Sequence, residues 1–370
     1  MSTIDNTKTV SRRTALKTVA TGLGATGLGA ATLATPALAQ KTTKWRLVTS
    51  WPKNLPGPGV TAQRIADRIN AMSGGRLMVK LYSAGELVPP FQVFDAVAQG
   101  TAEMAHTASF FWQGKLPAAA FFTAVPFGLT PIEHITWIEH GGGQALWEKL
   151  YAPFGIKPMM GGNTGFQMGG WYRKEINTLD DIKGLKIRMP GLGGEVMRRL
   201  GATPVSLPPS EILPALQAGT IDATEFLGPW SDLAMGFYKV TKLYYKPGFH
   251  EPNGTGEALI SQSAFDALPA DLQAIVEHAI AAENAFALAE SEWNNAGRLT
   301  DLTSKFGVTI KTYPDEVLDA AHKAADEVLA TFAEKDEISG EIYRSFVAAR
   351  DQLAPWSSMS VGGFLGAREG

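Results

Sequence analysis

Apolar residues recur at helical spacing through Ala62, Ile65, Ala66, Ile69 and Met72. They then switch to the two-residue period of a strand through Leu77, Val79 and Leu81. Ahead of this pair, Lys44 to Ser50 reads as a first strand. Its end, Thr49-Ser50-Trp51-Pro52, lies where an α/β fold places ligand-facing residues. A turn at Ser83-Ala84-Gly85-Glu86-Leu87 leads to a helix marked by Phe91, Phe94, Val97 and Ala98, and Thr101 to Thr107 reads as the next short strand. Strand, helix, strand in alternation predicts an α/β fold with a mostly parallel sheet.

A second α/β unit is expected from Ile156. Strands at about 156–173 and 185–189 enclose a turn helix at Leu179-Asp180-Asp181-Ile182, with helices at about 194–200 and 210–218 beyond them, the latter with Ser210 as its cap. Thr224 to Pro229 reads as a hinge crossover ending in Gly228-Pro229, and strands near 242–249 and 256–262 as the return to the first unit. Leu272, Ile275, Val276, Ala279, Ile280 and Phe286 form a helical stripe continuing toward Trp293. Val308 to Thr312 predicts one more strand, and helices follow near 314–333 and 336–353. The organisation expected is an export signal at 1–39, a first α/β domain at 40–155, a second at 156–255, and a return with long C-terminal helices at 256–370.

The N-terminus reads as an address. Ser11-Arg12-Arg13-Thr14-Ala15-Leu16-Lys17 carries a twin arginine, a weakly apolar Ala/Gly/Thr/Leu stretch follows, and Ala37-Leu38-Ala39 before Gln40 has the small-x-small form of a cleavage site. A periplasmic protein beginning near Gln40 is expected. Removing the four basic and one acidic residues of 1–39 leaves 29 basic against 35 acidic, a net charge of −6. No basic patch with interleaved aromatics is present, which argues against nucleic acid as a partner. The chain has 0 Cys, so thiolate metal sites, disulfides and a Cys nucleophile are excluded. The six His, at positions 106, 134, 140, 250, 278 and 322, show no HxxxH or HExxH spacing and read as packed or surface residues rather than ligands.

Three motifs carry the candidate chemistry. They are Ser83-Ala84-Gly85-Glu86-Leu87-Val88-Pro89, the Gly-rich run from Gly161 to Trp171, and Pro214 to Glu225. In this order the chain resembles the periplasmic solute-binding subunits of TRAP transporters, the tripartite ATP-independent importers of the DctP superfamily. Within them it is similar to the 2-oxo acid binding subgroup. The resemblance implies a two-domain periplasmic-binding-protein fold with hinge strands, closing on an organic acid beside a cation, Na⁺ or Ca²⁺. It assigns Arg188 to the acid's carboxylate and Asn163 to a hydrogen bond with the ligand. Gln167, Glu225 and the carbonyl of Phe226 are assigned to the metal, and Glu251 to a further acidic position lining the site. Phe111 and Trp112 fall where the subgroup has aromatic covers. Tyr is frequent at those two positions and Trp at Phe226; the loss of phenol hydroxyls points to a more apolar ligand tail. A TRAP membrane permease is the implied partner, and the C-terminal helices with Trp356 and Phe364-Leu365 are expected to support a homodimer.

Read physically, a guanidinium matches a carboxylate as a planar fork with a charge that does not titrate away. The bland alternative for Arg188 is an ion pair with a neighbouring acid. Glu225 beside a ligand carboxylate would repel it, and a cation between them reverses that. The donors are all oxygens, which suit Na⁺, Ca²⁺ or Mg²⁺ over transition metals. Trp51, Phe111, Trp112, Trp171 and Trp230 are candidate pocket walls, with Trp112 and Trp171 expected near the ligand. No nucleophile elbow or paired general acids stand out, so a receptor rather than an enzyme is expected. The rival readings are a binder of an aromatic or sugar acid, a twin-arginine-exported metal-dependent enzyme, and a sensor subunit.

Overall fold

A computed structural model of the protein describes residues 42–369, and the export signal lies outside them. The chain opens with β1 (Thr43–Thr49), α1 (Pro58–Met72), β2 (Leu77–Tyr82), α2 (Val93–Ala98) and β3 (Met104–Thr107). Two helices follow, α3 (Pro131–His140) and α4 (Gly143–Tyr151), before β4 (Ile156–Asn163). Pro58 starts α1, where a missing N–H is harmless, and a reciprocal Thr130–Glu133 capping box starts α3. β1 pairs parallel with β2 and β3, and the first sheet runs β2-β1-β3-β10-β4, where β10 (Thr255–Ser261) is antiparallel to both neighbours.

The single strand expected at 156–173 is broken in two. β4 ends at Asn163 and β5 (Gly170–Tyr172) belongs to the other sheet. The physical reason is the turn between them. The Asn163 side-chain oxygen accepts from the N–H of Gly165 at 2.9 Å, and Gly165 has φ of +71°, a left-handed conformation that ends an extended run.

The second sheet continues with β6 (Lys186–Arg188), α5 (Gly191–Arg199), β7 (Thr203–Val205), α6 (Pro209–Ala218), β8 (Ala223–Thr224), α7 (Pro229–Met235) and β9 (Leu243–Lys246). Its order is β11-β9-β5-β8-β6-β7. Pro208, not Ser210, precedes the first turn of α6. Gly228-Pro229 is not a crossover: Pro229 occupies the first turn of α7, and the chain stays with the second sheet through β9. The return runs through 247–254 into β10.

After α8 (Gln262–Asp266), α9 (Ala270–Ser304) is one helix of 35 residues. It packs on β4 at one side and α7 at the other. Leu272, Val276, Ala279 and Ile280 are buried as expected, whereas Phe286 is 46% and Trp293 82% exposed and lie off the stripe. β11 (Thr309–Thr312) joins the second sheet parallel to β9, so the stretch beyond 256 serves both sheets. α10 (Asp315–Ala333) packs on α5, α11 (Glu337–Ser357) packs on α10 and α4, and α12 (Gly363–Glu369) ends the chain. Among the described residues no helix is long and apolar enough to cross a membrane.

Candidate functional site

β6 and β8 run parallel with Arg188 opposite Thr224, which brings the ends of both strands to one edge of the sheet. The Glu225 N–H donates to the Arg188 carbonyl at 3.2 Å, and the Arg188 Nη1 donates to Glu225 Oε1 at 2.5 Å. Both side chains are buried, at 2% and 0% exposure. Arg188 also reaches the carbonyls of Glu225 and Leu207, each at 3.3 Å, and its guanidinium lies 5.7 Å from the Phe226 ring. The ends of parallel strands are where open α/β sheets hold ligands.

The segment returning to the first sheet adds His250 and Glu251, both buried. His250 Nε2 stands 3.4 Å from Glu225 Oε2, and ligand atoms of Glu225, His250 and Glu251 all lie within 4.8 Å of one another. Burial holds the Glu251 carboxyl well above the usual carboxylate range, the charge of Glu225 adds to the rise, and Arg188 and the Gln167 amide offset part of it. Gln167 Nε2 donates to Thr164 Oγ1 at 3.1 Å, while Gln167 Oε1 is buried without a partner among the described residues. A Cβ at residue 254 would collide with the Gln167 amide, so Gly254 gives that amide its place. One guanidinium thus faces a buried carboxylate, a buried carboxyl and an unpartnered amide oxygen. Hard oxygen donors of this kind fit an alkali or alkaline-earth cation.

Three of these residues, Arg188, Gln167 and Glu251, border a small cavity of about 30 Å³, with Glu225 and His250 behind them. Arg188, Gln167 and Glu251 supply its charge and amide, and Thr123, Thr164 and Thr255 its hydroxyls. Trp51, Phe110, Phe111, Phe226 and Leu227 make the apolar wall. Phe111 lies 6.0 Å from Trp51 and 4.7 Å from Phe110 between ring centroids. The Trp51 indole donates to His106 Nδ1 at 2.8 Å, which leaves the His106 Nε2 proton for the Gly161 carbonyl at 3.0 Å. Burial lowers His106 to about 4, so this bridge is made by a neutral ring.

The structure brings together Arg188, Glu225, Phe226, Glu251, Gln167 and Phe111. Asn163 is buried just behind the cavity, donating to Asn253 and to the lining residue Thr255 at 3.2 Å each. Two aromatics expected near the ligand are elsewhere. Trp112 turns into the core, where its Nε1–H finds Glu257 Oε1 at 2.6 Å. Trp171 stacks on Tyr244 at 4.1 Å and donates to Asp232 at 2.9 Å within the second core cluster. Each indole N–H needed a buried acceptor, and the acceptors lie away from the cavity. His250 and Phe110 were missed. His250 immediately precedes Glu251, and Phe110 precedes Phe111, so position in sequence was the available signal.

The sequence pattern of bacterial extracellular solute-binding protein, family 7 (DctP), matches residues 48–336. The chain belongs to the DctP family. A monocarboxylate 2-oxoacid-binding periplasmic protein of Nostoc sp. (strain PCC 7120) is 41% identical to it over 317 residues, 86% of each chain. A TRAP periplasmic solute-binding protein from Pseudoalteromonas atlantica T6c, crystallised with bound sodium and pyruvate, superposes with a TM-score of 0.86 at 40% identity. That match covers 88% of this chain and 99% of the other. A TRAP solute-binding protein from Bordetella bronchiseptica RB50 is 36% identical with a TM-score of 0.86, covering 89% of this chain and 97% of that one. It was crystallised as a mixed-occupancy dimer with copurified calcium and picolinate. The DctP fold here is therefore the two-sheet α/β architecture of periplasmic receptors.

Proposed function

We propose that this DctP protein is the periplasmic receptor of a TRAP transporter, binding a small 2-oxo or 2-hydroxy monocarboxylate together with Na⁺ or Ca²⁺ and delivering it to the membrane permease. The observation that carries the reading is the buried Arg188–Glu225 pair at the edge of a small apolar cavity. A buried ion pair is weak support for stability and is better explained as a binding device held ready. An incoming acid takes the Arg188 fork, and Glu225 and the Gln167 oxygen are left to a cation. Glu251 and the Phe226 carbonyl complete the oxygen donors proposed for it, with Asn163 supporting the ligand side through Thr255. The two sheets act as lobes that close on ligand touching both. Binding and release need no bond-making group, so we read the protein as a receptor and not an enzyme.

The homodimer is proposed on separate grounds. Trp356, Met359 and Phe364 are each more than 60% exposed on the C-terminal helices. Of these, Trp356 borders an apolar groove of about 700 Å³ together with Ile132, Phe166, Leu288, Leu353 and Leu365. Exposed apolar surface of this kind marks a protein contact. Sedimentation of the chain from residue 40, with and without residues 355–370, reads the oligomeric state directly.

The function is tested by thermal unfolding of protein refolded to strip carried ligand, against pyruvate, 2-oxobutyrate, 2-oxoisovalerate, lactate, succinate and benzoate, each with and without Na⁺ or Ca²⁺. A ligand that binds only the native state raises its stability by mass action. The expected result is a cation-dependent rise for the 2-oxo acids. A flat panel would overturn the assignment, and a rise with benzoate alone would move it to an aromatic acid.

A further inference from the structure

Helix α9 sends side chains into the segment that carries Gln167. Ser291 Oγ donates to the Asn163 carbonyl at 3.3 Å. One residue on, Glu292 Oε1 accepts from the Phe166 N–H at 3.1 Å. One turn later, Asn295 Nδ2 donates to the Thr164 carbonyl at 3.4 Å while its Oδ1 accepts from the Trp230 N–H at 3.0 Å. Thr164 belongs to the crossover between sheets, and Trp230 to the first turn of α7 beside the second sheet. A single amide therefore ties the crossover to the second half of the molecule. The close approach is specific: a Cβ at Gly165 would collide with the Glu292 carboxylate.

The helix itself is anchored on the other half. Arg64 of α1 pairs with Glu283 at 2.7 Å and Glu290 at 2.6 Å, and Arg68 adds a second contact to Glu283 at 2.9 Å. Glu283 is fully buried, so both of its oxygens are committed to α1. The turn at 164–167 is thus gripped from a helix fixed to the first sheet, and Thr164 Oγ1 in turn holds the Gln167 amide.

We propose that Glu292 and Asn295 are positioning residues for the ligand site, fixing the Thr164–Gln167 turn so that Gln167 faces Glu251 and the cavity. Resting on the receptor reading, this makes affinity depend on a helix face outside the cavity. None of the three α9 side chains borders the cavity. Backbone groups held by partners with good geometry lose less freedom on binding, so removing the grip weakens the ligand without touching it.

The test uses Glu292→Ala and Asn295→Ala with the conservative partners Glu292→Gln and Asn295→Asp, in the chain from residue 40. Three quantities are read: pyruvate affinity at saturating Na⁺ by calorimetry, amide exchange at Gly165 to Gln167 without ligand, and the urea midpoint. Each alanine variant is expected to weaken pyruvate by about tenfold, the scale of one lost hydrogen bond, and to speed exchange at 165–167 while the midpoint barely moves. Glu292→Gln keeps the acceptor for Phe166 and restores binding; Asn295→Asp keeps the Trp230 bond, loses the Thr164 bond, and falls between. Unchanged affinity beside faster exchange would overturn the proposal, as would an affinity loss that only tracks the urea midpoint. Should Asn295→Ala not fold, the two Glu292 variants decide it. A wild-type protein that binds no acid would sink the receptor reading alone, and amide exchange would then decide the grip on the turn.

Discussion

Arg188 Nη1 stands 2.5 Å from Glu225 Oε1, with both groups withdrawn from water. The guanidinium proposed for the acid is thus already held by the carboxylate proposed for the cation. On the proposed function, loading the site is an exchange of partners in which the acid takes the fork as the cation takes Glu225. The two affinities are then expected to be coupled, and by linkage the factor by which Na⁺ or Ca²⁺ tightens the acid should equal the factor by which the acid tightens the cation.

Arg188→Ala is expected to abolish acid binding, at least about a hundredfold, and Arg188→Lys to leave most of that loss because a point charge does not reproduce the fork. The ligand-free protein should also lose about 3–5 kcal/mol, since Glu225 is left as an unpaired buried charge. Urea denaturation gives the second number independently of the first. An Arg188→Ala protein that still binds pyruvate within tenfold of wild type would refute the assignment.

Proton release should distinguish the two cations. Burial and the Glu225 charge keep the Glu251 carboxyl protonated well above the usual range. Na⁺ with a monoanion leaves the cluster neutral with that proton in place, whereas Ca²⁺ is neutralised only when Glu251 gives it up. Ca²⁺ affinity is therefore expected to rise with pH and Na⁺ affinity to stay nearly flat. Calorimetry in buffers of different ionisation enthalpy counts the protons, and Glu251→Gln should remove the Ca²⁺ pH dependence. Equal proton counts for both ions would contradict this.

Phe111 closes the cavity on its apolar side. Phe111→Ala should shift preference by about tenfold toward bulkier acids such as picolinate over pyruvate, the usual scale of discrimination by an apolar wall. Competition between the two ligands measures the ratio, and an unchanged ratio would place the tail elsewhere.

Two buried carboxyls should tilt stability with pH. Burial lifts Asp232 to about 7 and Glu257 to about 8, each despite hydrogen bonds from Trp and Tyr donors. Both values lie above those of the unfolded chain, about 4. The native state therefore binds more protons between these limits, and stability is greatest below about pH 4 for these groups and falls as pH rises through 7 and 8. Melting temperatures from pH 5 to 8.5 should fall, and Glu257→Gln should flatten the upper part of that slope.

Much of the layout was legible because short strands of period two alternate with helices of period 3.6, and those two periods hardly mimic each other. Arg188 and Glu225 could be singled out as candidates because each ends a segment in a Gly-rich motif, whereas Glu251 came only from the family resemblance. Trp112 and Trp171 were not, because periodicity says that an indole is buried but not which carboxylate will accept from it. The exit of the chain at 164–169 was hidden for a related reason: an Asn-Thr-Gly turn inside an apolar run reads as a strand until the second sheet is there to receive Gly170 to Tyr172. The α9 grip is invisible in sequence, being three polar side chains set against backbone more than 120 residues away.

The chain visits the first sheet, leaves at 164–169, returns at 247–254, and then sends β11 back to the second. Neither half is therefore a continuous stretch of gene. A recombination event that exchanged one half for a relative's would need several breakpoints at once, one at each crossing between the sheets. New cargo preferences in such a scaffold have to arise one side chain at a time around the cavity, and a breeder of variants would do better to shuffle codons at Phe110, Phe111, Phe226 and Leu227 than to swap segments.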